Sequence, residues 1–255
     1  MEEKKQKQFS FWKKCLLADL LGLFLVVVCM LGCAGRGAEL KNTLKMAVNL
    51  QENTKGTKEQ GTKGLQDTTG EMKKIAITFD DGPHPVYTQE LLDGLKERGV
   101  HATFFVTGEH AELHPDIIKR MKKEGHLIGN HTYSHIQLGT SNREKFKMEL
   151  VETNQVIKEI TGEEVQYVRP PYGTWDKTFE KELNMFPVLW TVDPLDWCSG
   201  DASCVVQKVL GKAKENDIIL LHDYYGSSIT AALEIIDQLQ KKGFQFVTVE
   251  EIMFD

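Results

Sequence analysis

Five times along this 255-residue sequence, a short apolar run rich in β-branched or aromatic residues ends in a polar cluster. Ile75–Phe79 (IAITF) leads to Asp80 and Asp81, His126–Gly129 (HLIG) to His131 and His135, and Val165–Val168 (VQYV) to Arg169. Pro187–Val192 (PVLWTV) leads to Asp193 and Asp196, and Ile218–Leu221 (IILL) to His222 and Asp223. Runs of this length and composition read as buried strands. Amphipathic stretches separate them, and repeated βα units predict a parallel sheet with helices outside it, either open or rolled into a barrel. Parallel strands share one direction, so the five clusters are expected at the same end of the sheet, where α/β folds carry their sites.

The expected elements follow that rhythm. Lys74–Phe79 is a strand, Thr88–Arg98 a helix, Ala102–Val106 a strand, Pro115–Lys123 a helix and His126–Gly129 a short strand. Ser141–Ile160 is a long helix capped by Ser141 and stopped by Gly162. Val165–Val168 is a strand, Lys177–Leu183 a short helix and Pro187–Val192 a strand. Ser203–Lys214 is a helix, Ile218–His222 a strand, Thr230–Lys242 a helix, and the strand Phe244–Val249 closes the chain. The body is too short for eight regular βα units.

Asp80 and Asp81 are adjacent carboxylates, which repel; a metal or another cation must neutralise one, or its pKa must rise. Gly82 allows close approach of backbone or ligand, and Pro83 and Pro85 stiffen the turn. His131 and His135 (HTYSH) have a spacing that can bring both imidazoles to one ion. With Asp81 they make a His₂-carboxylate set with a position left for water, as in catalytic zinc sites.

The N-terminal part is built differently. Lys4, Lys5, Lys7, Lys13 and Lys14 precede the apolar stretch Cys15–Ala34, broken only by Asp19. A basic segment before an apolar one is the form of a secretion signal or signal anchor, and this one is long enough to span a bilayer. Three fates compete: lipidation at Cys33 in Met30-Leu31-Gly32-Cys33, cleavage after Ala34 with release, or retention as an anchor. Membrane attachment by one of these routes is the favoured expectation, with the body outside the cytoplasm. Residues 1–35 thus form a signal or anchor, 36–71 a flexible polar linker, and 72–255 the catalytic domain. Of the cysteines, Cys198 and Cys204 fall in the body, where they either close a small disulfide or stay free. The net charge of −6 comes with no basic stripe in the body, which argues against nucleic acid as a partner.

Five stretches make a more specific comparison possible. TFDDGPH (Thr78–His84), HTYSH (His131–His135), RPPYG (Arg169–Gly173), DPLDW (Asp193–Trp197) and LLHD (Leu220–Asp223) occur in the order of the five motifs of polysaccharide deacetylases. This is carbohydrate esterase family 4, the NodB homology domain, and the resemblance covers about Lys73–Glu251. The resemblance implies an α/β fold, a distorted (β/α) barrel with about seven units. It implies that Asp81, His131 and His135 hold a divalent metal, zinc first, with Co²⁺, Mn²⁺ or Ni²⁺ as substitutes, which activates water and polarises an acetamide carbonyl. Asp80 is then the general base, held by Arg169. The backbone N–H of Tyr172 joins the oxyanion site, and His222 is the general acid. Asp196 orients His222, with Asp193 as the competing candidate, and Trp197 and Leu220 line the pocket. Tyr224 and Tyr225 stand where smaller residues are common in the family, and Asn216 where glycine often precedes the last strand.

The expected activity is N-deacetylation of N-acetylglucosamine residues in a cell-surface polysaccharide. Peptidoglycan is favoured over a chitin-like oligomer, and the protein is expected to act as a monomer tethered near the wall. The alternatives are an O-acetyl esterase of xylan type on the same metal site, and a glycan-binding wall protein on a retained barrel without catalysis.

Overall fold

The computed structural model describes residues 72–254. The segments 1–35 and 36–71, with the apolar stretch Cys15–Ala34, lie outside the described residues. No helix among the described residues is long and apolar enough to cross a membrane.

Seven strands form one sheet: β1 (Lys73–Asp80), β2 (Thr103–Val106), β3 (Leu127–Asn130), β4 (Tyr167–Val168), β5 (Phe186–Pro187), β6 (Ile218–His222) and β7 (Phe244–Val247). Their order is β5-β4-β3-β2-β1-β6, with β7 pairing the N-terminal half of β1. Every pairing is parallel. The helices are α1 (Tyr87–Glu97), α2 (Gly108–Leu113), α3 (Pro115–Lys123), α4 (Arg143–Thr161), α5 (Thr178–Leu183), α6 (Ala202–Leu210), α7 (Gly226–Lys241) and α8 (Val249–Phe254). The described residues form a curled, distorted (β/α) barrel of parallel strands, as the sequence predicts.

Alternation along β1 divides its side chains between two environments. Ile75, Ile77 and Phe79 join the large cluster under the outer helices, with Leu91, Leu92, Leu95, Ile235 and Ile236. Ala76 points the other way, into a smaller inner cluster with Phe105, Tyr167, Val188 and Val249. Thr78 and Asp80 share the inner face. Because β1 and β6 pair in register, Thr78 lies beside Leu220 and Asp80 beside His222. The inner face is therefore apolar at its base and ionisable at its rim.

Several expected boundaries move. The segment Pro187–Val192 is not a continuous strand. Only Phe186–Pro187 pairs with β4, and Val192 makes an isolated bridge to Ile219. The Arg169 guanidinium takes the carbonyls of Val188 and Leu189, removing two acceptors a ladder would need. The segment still closes the gap between sheet edges: Val188 N–H donates to Val168, and Leu220 N–H to Val192. α4 begins at Arg143, not Ser141, and its N-cap Asn142 spends its carboxamide oxygen on the Gly139 N–H. Gly162, in a left-handed conformation, stops that helix as expected. α6 starts after Asp201, whose carboxylate accepts from the Ser203 and Cys204 N–H groups, and it stops at Leu210 rather than Lys214. α7 begins at Gly226, four residues before expected. α2 and α8 were not expected. Cys198 and Cys204 are both free thiols, which resolves the open choice against a disulfide.

Candidate active site

The site is built from the C-terminal ends of β1, β3, β4 and β6. Asp80 ends β1 and is buried at 3% exposure; Arg169 follows β4 and is fully buried at 0%. The Arg169 Nη1 donates to Asp80 Oδ1 at 2.8 Å and to Thr78 Oγ1 at 2.6 Å, while Nε donates to the Val188 carbonyl at 3.1 Å. Its Cζ lies 4.2 Å from the centre of the Phe105 ring. A buried guanidinium with its donors engaged this way holds one carboxylate rigidly, and removing either partner strands the other charge.

Asp81 leaves the strand with φ 75°. Such a conformation costs a non-glycine residue on the order of 1–3 kcal/mol, and it turns the carboxylate toward the histidines that follow β3. Asp81 Oδ1 lies 3.5 Å from His131 Nε2 and 3.4 Å from His135 Nε2. The candidate ligand atoms of Asp81, His131 and His135 all lie within 4.8 Å of one another. His131 Nδ1 is 2.5 Å from the Arg169 carbonyl, which can only accept, so Nδ1 carries a hydrogen and Nε2 is the ring nitrogen turned toward Asp81.

The electrostatics of the trio fit a cation. Burial pushes the Asp81 carboxyl up, but the adjacent His131 imidazole above all, with His222 and His135, holds it down at about 2. Burial and the neighbouring His131 push His135 below the ordinary imidazole value against the pull of Asp81. One ionised carboxylate and an imidazole kept neutral are the protonation states ligands need. Asp81 Oδ1 is buried without any hydrogen-bond partner, an orphan that a bound ion would satisfy. The donor set fits a divalent metal.

His222 ends β6 on the other side of Asp80. Its Nδ1 is 2.8 Å from Asp196 Oδ1, while Asp196 Oδ2 accepts from the His222 N–H at 2.9 Å and from Ser228 Oγ at 2.6 Å. Of the two acids of DPLDW, Asp196 is the one bonded to His222. Asp193 instead accepts from the Leu195 N–H. Burial works against a charge on His222, but the Asp196 hydrogen bond and charge, reinforced by Asp80 and Asp81, raise its pKa to about 9.

Tyr172 stands in a short turn, Pro171–Gly173, at φ 61°, with its ring 5.2 Å from that of His135 and 66% exposed. Trp197 is exposed, and Leu220 is buried on the inner face below His222. Tyr224 and Tyr225 are both partly exposed beside this rim.

Sequence reasoning missed the groups that hold the histidine loop. Glu149 on α4 is buried, and its two oxygens accept from Ser134 N–H and Ser134 Oγ at 2.9 and 2.8 Å. Asn130 accepts from the Thr132 N–H at 2.7 Å and donates to the Leu150 carbonyl. The signal for Glu149 was present: it falls on the stripe Phe146, Leu150, Thr153, Ile157 that α4 buries. Ser228 offered no such clue. Asp223, next to His222, is fully buried, and burial raises its carboxyl to about 7.

Comparison with known proteins gives a consistent picture. Residues 67–188 match the profile of the family described as "Polysaccharide deacetylase". A peptidoglycan-N-acetylglucosamine deacetylase of Bacillus cereus is 38% identical over 189 residues, covering 71% of this chain and 88% of that protein. The peptidoglycan-N-acetylmuramic acid deacetylase PdaC of Bacillus subtilis is 40% identical over 181 residues, or 71% of this chain, but the match spans only 39% of PdaC. The solved structure of PdaC superposes with a TM-score of 0.68 at 39% identity, over 71% of this chain and 90% of that structure. A family 4 acetyl xylan esterase from Clostridium thermocellum, solved with a cobalt ion, superposes with a TM-score of 0.66 at 32% identity, over 71% and 90% of the two chains.

Proposed function

This chain belongs to the polysaccharide deacetylase family, and we propose that it hydrolyses the acetamide of N-acetylglucosamine residues in a cell-surface polysaccharide, peptidoglycan foremost, releasing acetate. The observation that carries the reading is the convergence on one rim of a rigidly held carboxylate, a His₂-carboxylate trio and a buried His–Asp pair. That is the equipment for attack by water, polarisation of a carbonyl and protonation of an amine.

Asp81, His131 and His135 would hold a divalent ion, zinc first. When bound, the ion supplies a Lewis acid that polarises the acetamide carbonyl and lowers the pKa of water. Asp80, fixed by Arg169, takes the proton from the attacking water. The Tyr172 N–H, in a turn whose φ Pro170 and Pro171 restrict, donates to the oxyanion as the carbonyl carbon becomes tetrahedral. His222 gives its proton to the departing nitrogen, so that acetate and a free amine result. Asp196 keeps the imidazole in the orientation that presents Nε2 to the substrate. Leu220 and Trp197 flank the acetyl group and the sugar ring.

Residues 1–35 export the body and attach it to the membrane, with Cys33 as the lipidation candidate, and 36–71 act as a spacer toward the wall. Labelling with a radioactive fatty acid tests the lipid route. A Cys33→Ala chain that keeps the label excludes Cys33 as its site.

Acetate release from an acetylated glucosamine oligomer tests the mechanism. Wild type releases acetate, whereas Asp80→Asn and His222→Ala fall to background. Undiminished release by Asp80→Asn overturns the assignment of the base. A second reading, O-deacetylation of a xylan-type glycan, is favoured by the likeness to the Clostridium thermocellum esterase. Faster acetate release from acetylated xylan than from chitooligosaccharide would select it.

A further inference from the structure

Asp81 sits in a left-handed conformation at φ 75°, and the two carbonyls around that kink are captured from α2 and the residue that caps it. The Thr107 N–H, just before α2, donates to the Gly82 carbonyl at 3.1 Å. His110, on α2 itself, places Nδ1 2.7 Å from the Asp81 carbonyl. A carbonyl has no hydrogen to give, so His110 Nδ1 is the donor.

The His110 ring is held in turn. It stacks on Tyr224 with centroids 5.4 Å apart and planes 26° apart. Tyr224 meets His84 edge-on at 4.9 Å and Tyr225 at 6.1 Å. His84 is locked by accepting at Nδ1 from the Val86 and Tyr87 N–H groups, and it stacks on Tyr87 at 4.5 Å. Rotating His110 away from Asp81 therefore disturbs a chain of four aromatic side chains. Tyr224 is one of the two residues that depart from the smaller side chains expected after LLHD.

From this geometry we infer that His110 is a positioning residue for the metal ligand Asp81, its Nδ1–H pinning the strained peptide so that the carboxylate faces His131 and His135, with Tyr224 as its brace. The inference rests on the metal reading of the trio. Partners behind a ligand typically change metal affinity by about 10- to 100-fold when removed. His110 acts on the ligand's backbone rather than on its carboxylate, but the consequence is the same: an unpinned Asp81 gives up one ligand direction.

The test is zinc binding to the purified full-length protein, read by competition with a chromogenic chelator and without reference to turnover. His110→Phe keeps the ring on Tyr224 and removes the donor, while His110→Asn keeps a donor near the position of Nδ1 and removes the ring. The expected result is a dissociation constant raised about 10- to 100-fold in His110→Phe and near the wild-type value in His110→Asn. Tyr224→Phe is expected to bind as wild type and Tyr224→Ala more weakly. Wild-type affinity in His110→Phe overturns the inference, as does a His110→Asn variant as weak as the Phe one. His110→Leu replaces the Phe variant should that fail to fold. A wild-type protein that takes up no divalent ion overturns the metal reading itself, a distinct outcome from uptake that ignores position 110.

Discussion

His222 owes its charge chiefly to one neighbour. Burial alone would leave it neutral, yet Asp196, itself 1% exposed and anchored by Ser228, holds the imidazole pKa at about 9. A proton donor of this kind is charged across the neutral range. Acetate release is therefore expected to fall on the alkaline side near pH 9, and Asp196→Asn should move that limb down by a unit or more in a pH–rate profile. The stability sign follows from the same shift. A raised folded-state pKa stabilises fully below the unfolded value of 6.5 and is lost as pH rises through 9, a contribution on the order of 3 kcal/mol. Asp196→Asn should thus cost stability at pH 6 and far less at pH 10, as measured by urea unfolding. Arg169 acts in the opposite sense, as a charge that must not be left alone. Arg169→Met strands the buried Asp80, and a loss of about 3–5 kcal/mol is expected in the same assay. These residues were legible in the sequence because each closes an apolar run. The choice between Asp193 and Asp196 was not, since the spacing DPLDW allows either until the turn at Leu195, φ 58°, commits Asp193 to its own backbone.

The element that decides the site is the turn leaving β1. A Cβ added to Gly82 would lie 2.3 Å from both carboxylate oxygens of Asp223, which has no room to retreat because it is fully buried and Thr88 Oγ1 holds its Oδ2. Gly82 is thus required for close approach rather than for its φ. Gly82→Ala is expected to destabilise by about 1–3 kcal/mol, the usual range for overpacking. Adding Asp223→Ser should recover part of that loss, a coupling a double-mutant unfolding cycle would read; strict additivity would show that the clash lies elsewhere. Other elements show where pattern reading succeeds and fails. α1, α3 and α4 carry apolar faces at helical spacing and were found within a few residues. α2 is only six residues long, too short to show a period. α8 was missed although Glu251 reaches back to cap its start, with Thr248 N–H and Oγ1 both donating to its carboxylate. The run Pro187–Val192 looked like a strand because its composition says nothing about Arg169, which takes the carbonyls of Val188 and Leu189 from a distance in sequence.

At the scale of the molecule, the fold and the site follow from the same fact. A sheet whose pairings are all parallel puts every strand's C-terminal residue on one rim, so reading strand direction from βα alternation also located the chemistry. The supports behind the rim stayed hidden because they come from helices and loops whose reach only packing determines, Glu149 and Ser228 among them. The trio also ties elements together, since Asp81 leaves β1 while His131 and His135 follow β3, with β2 between them. An ion bound there joins strands that are not neighbours and should stabilise the whole body rather than one loop. For zinc at 100 times its dissociation constant the gain is about 2.7 kcal/mol, or roughly 5–10 °C in melting temperature for a domain of this size. Residues 72–254 carry the whole described sheet and its core, so a chain begun at residue 72 is expected to melt in one transition and to show the same zinc-dependent rise. Chelation should reverse that rise and stop acetate release together. A truncated chain that melts identically with and without zinc would mean that the three side chains meet for some purpose other than holding an ion.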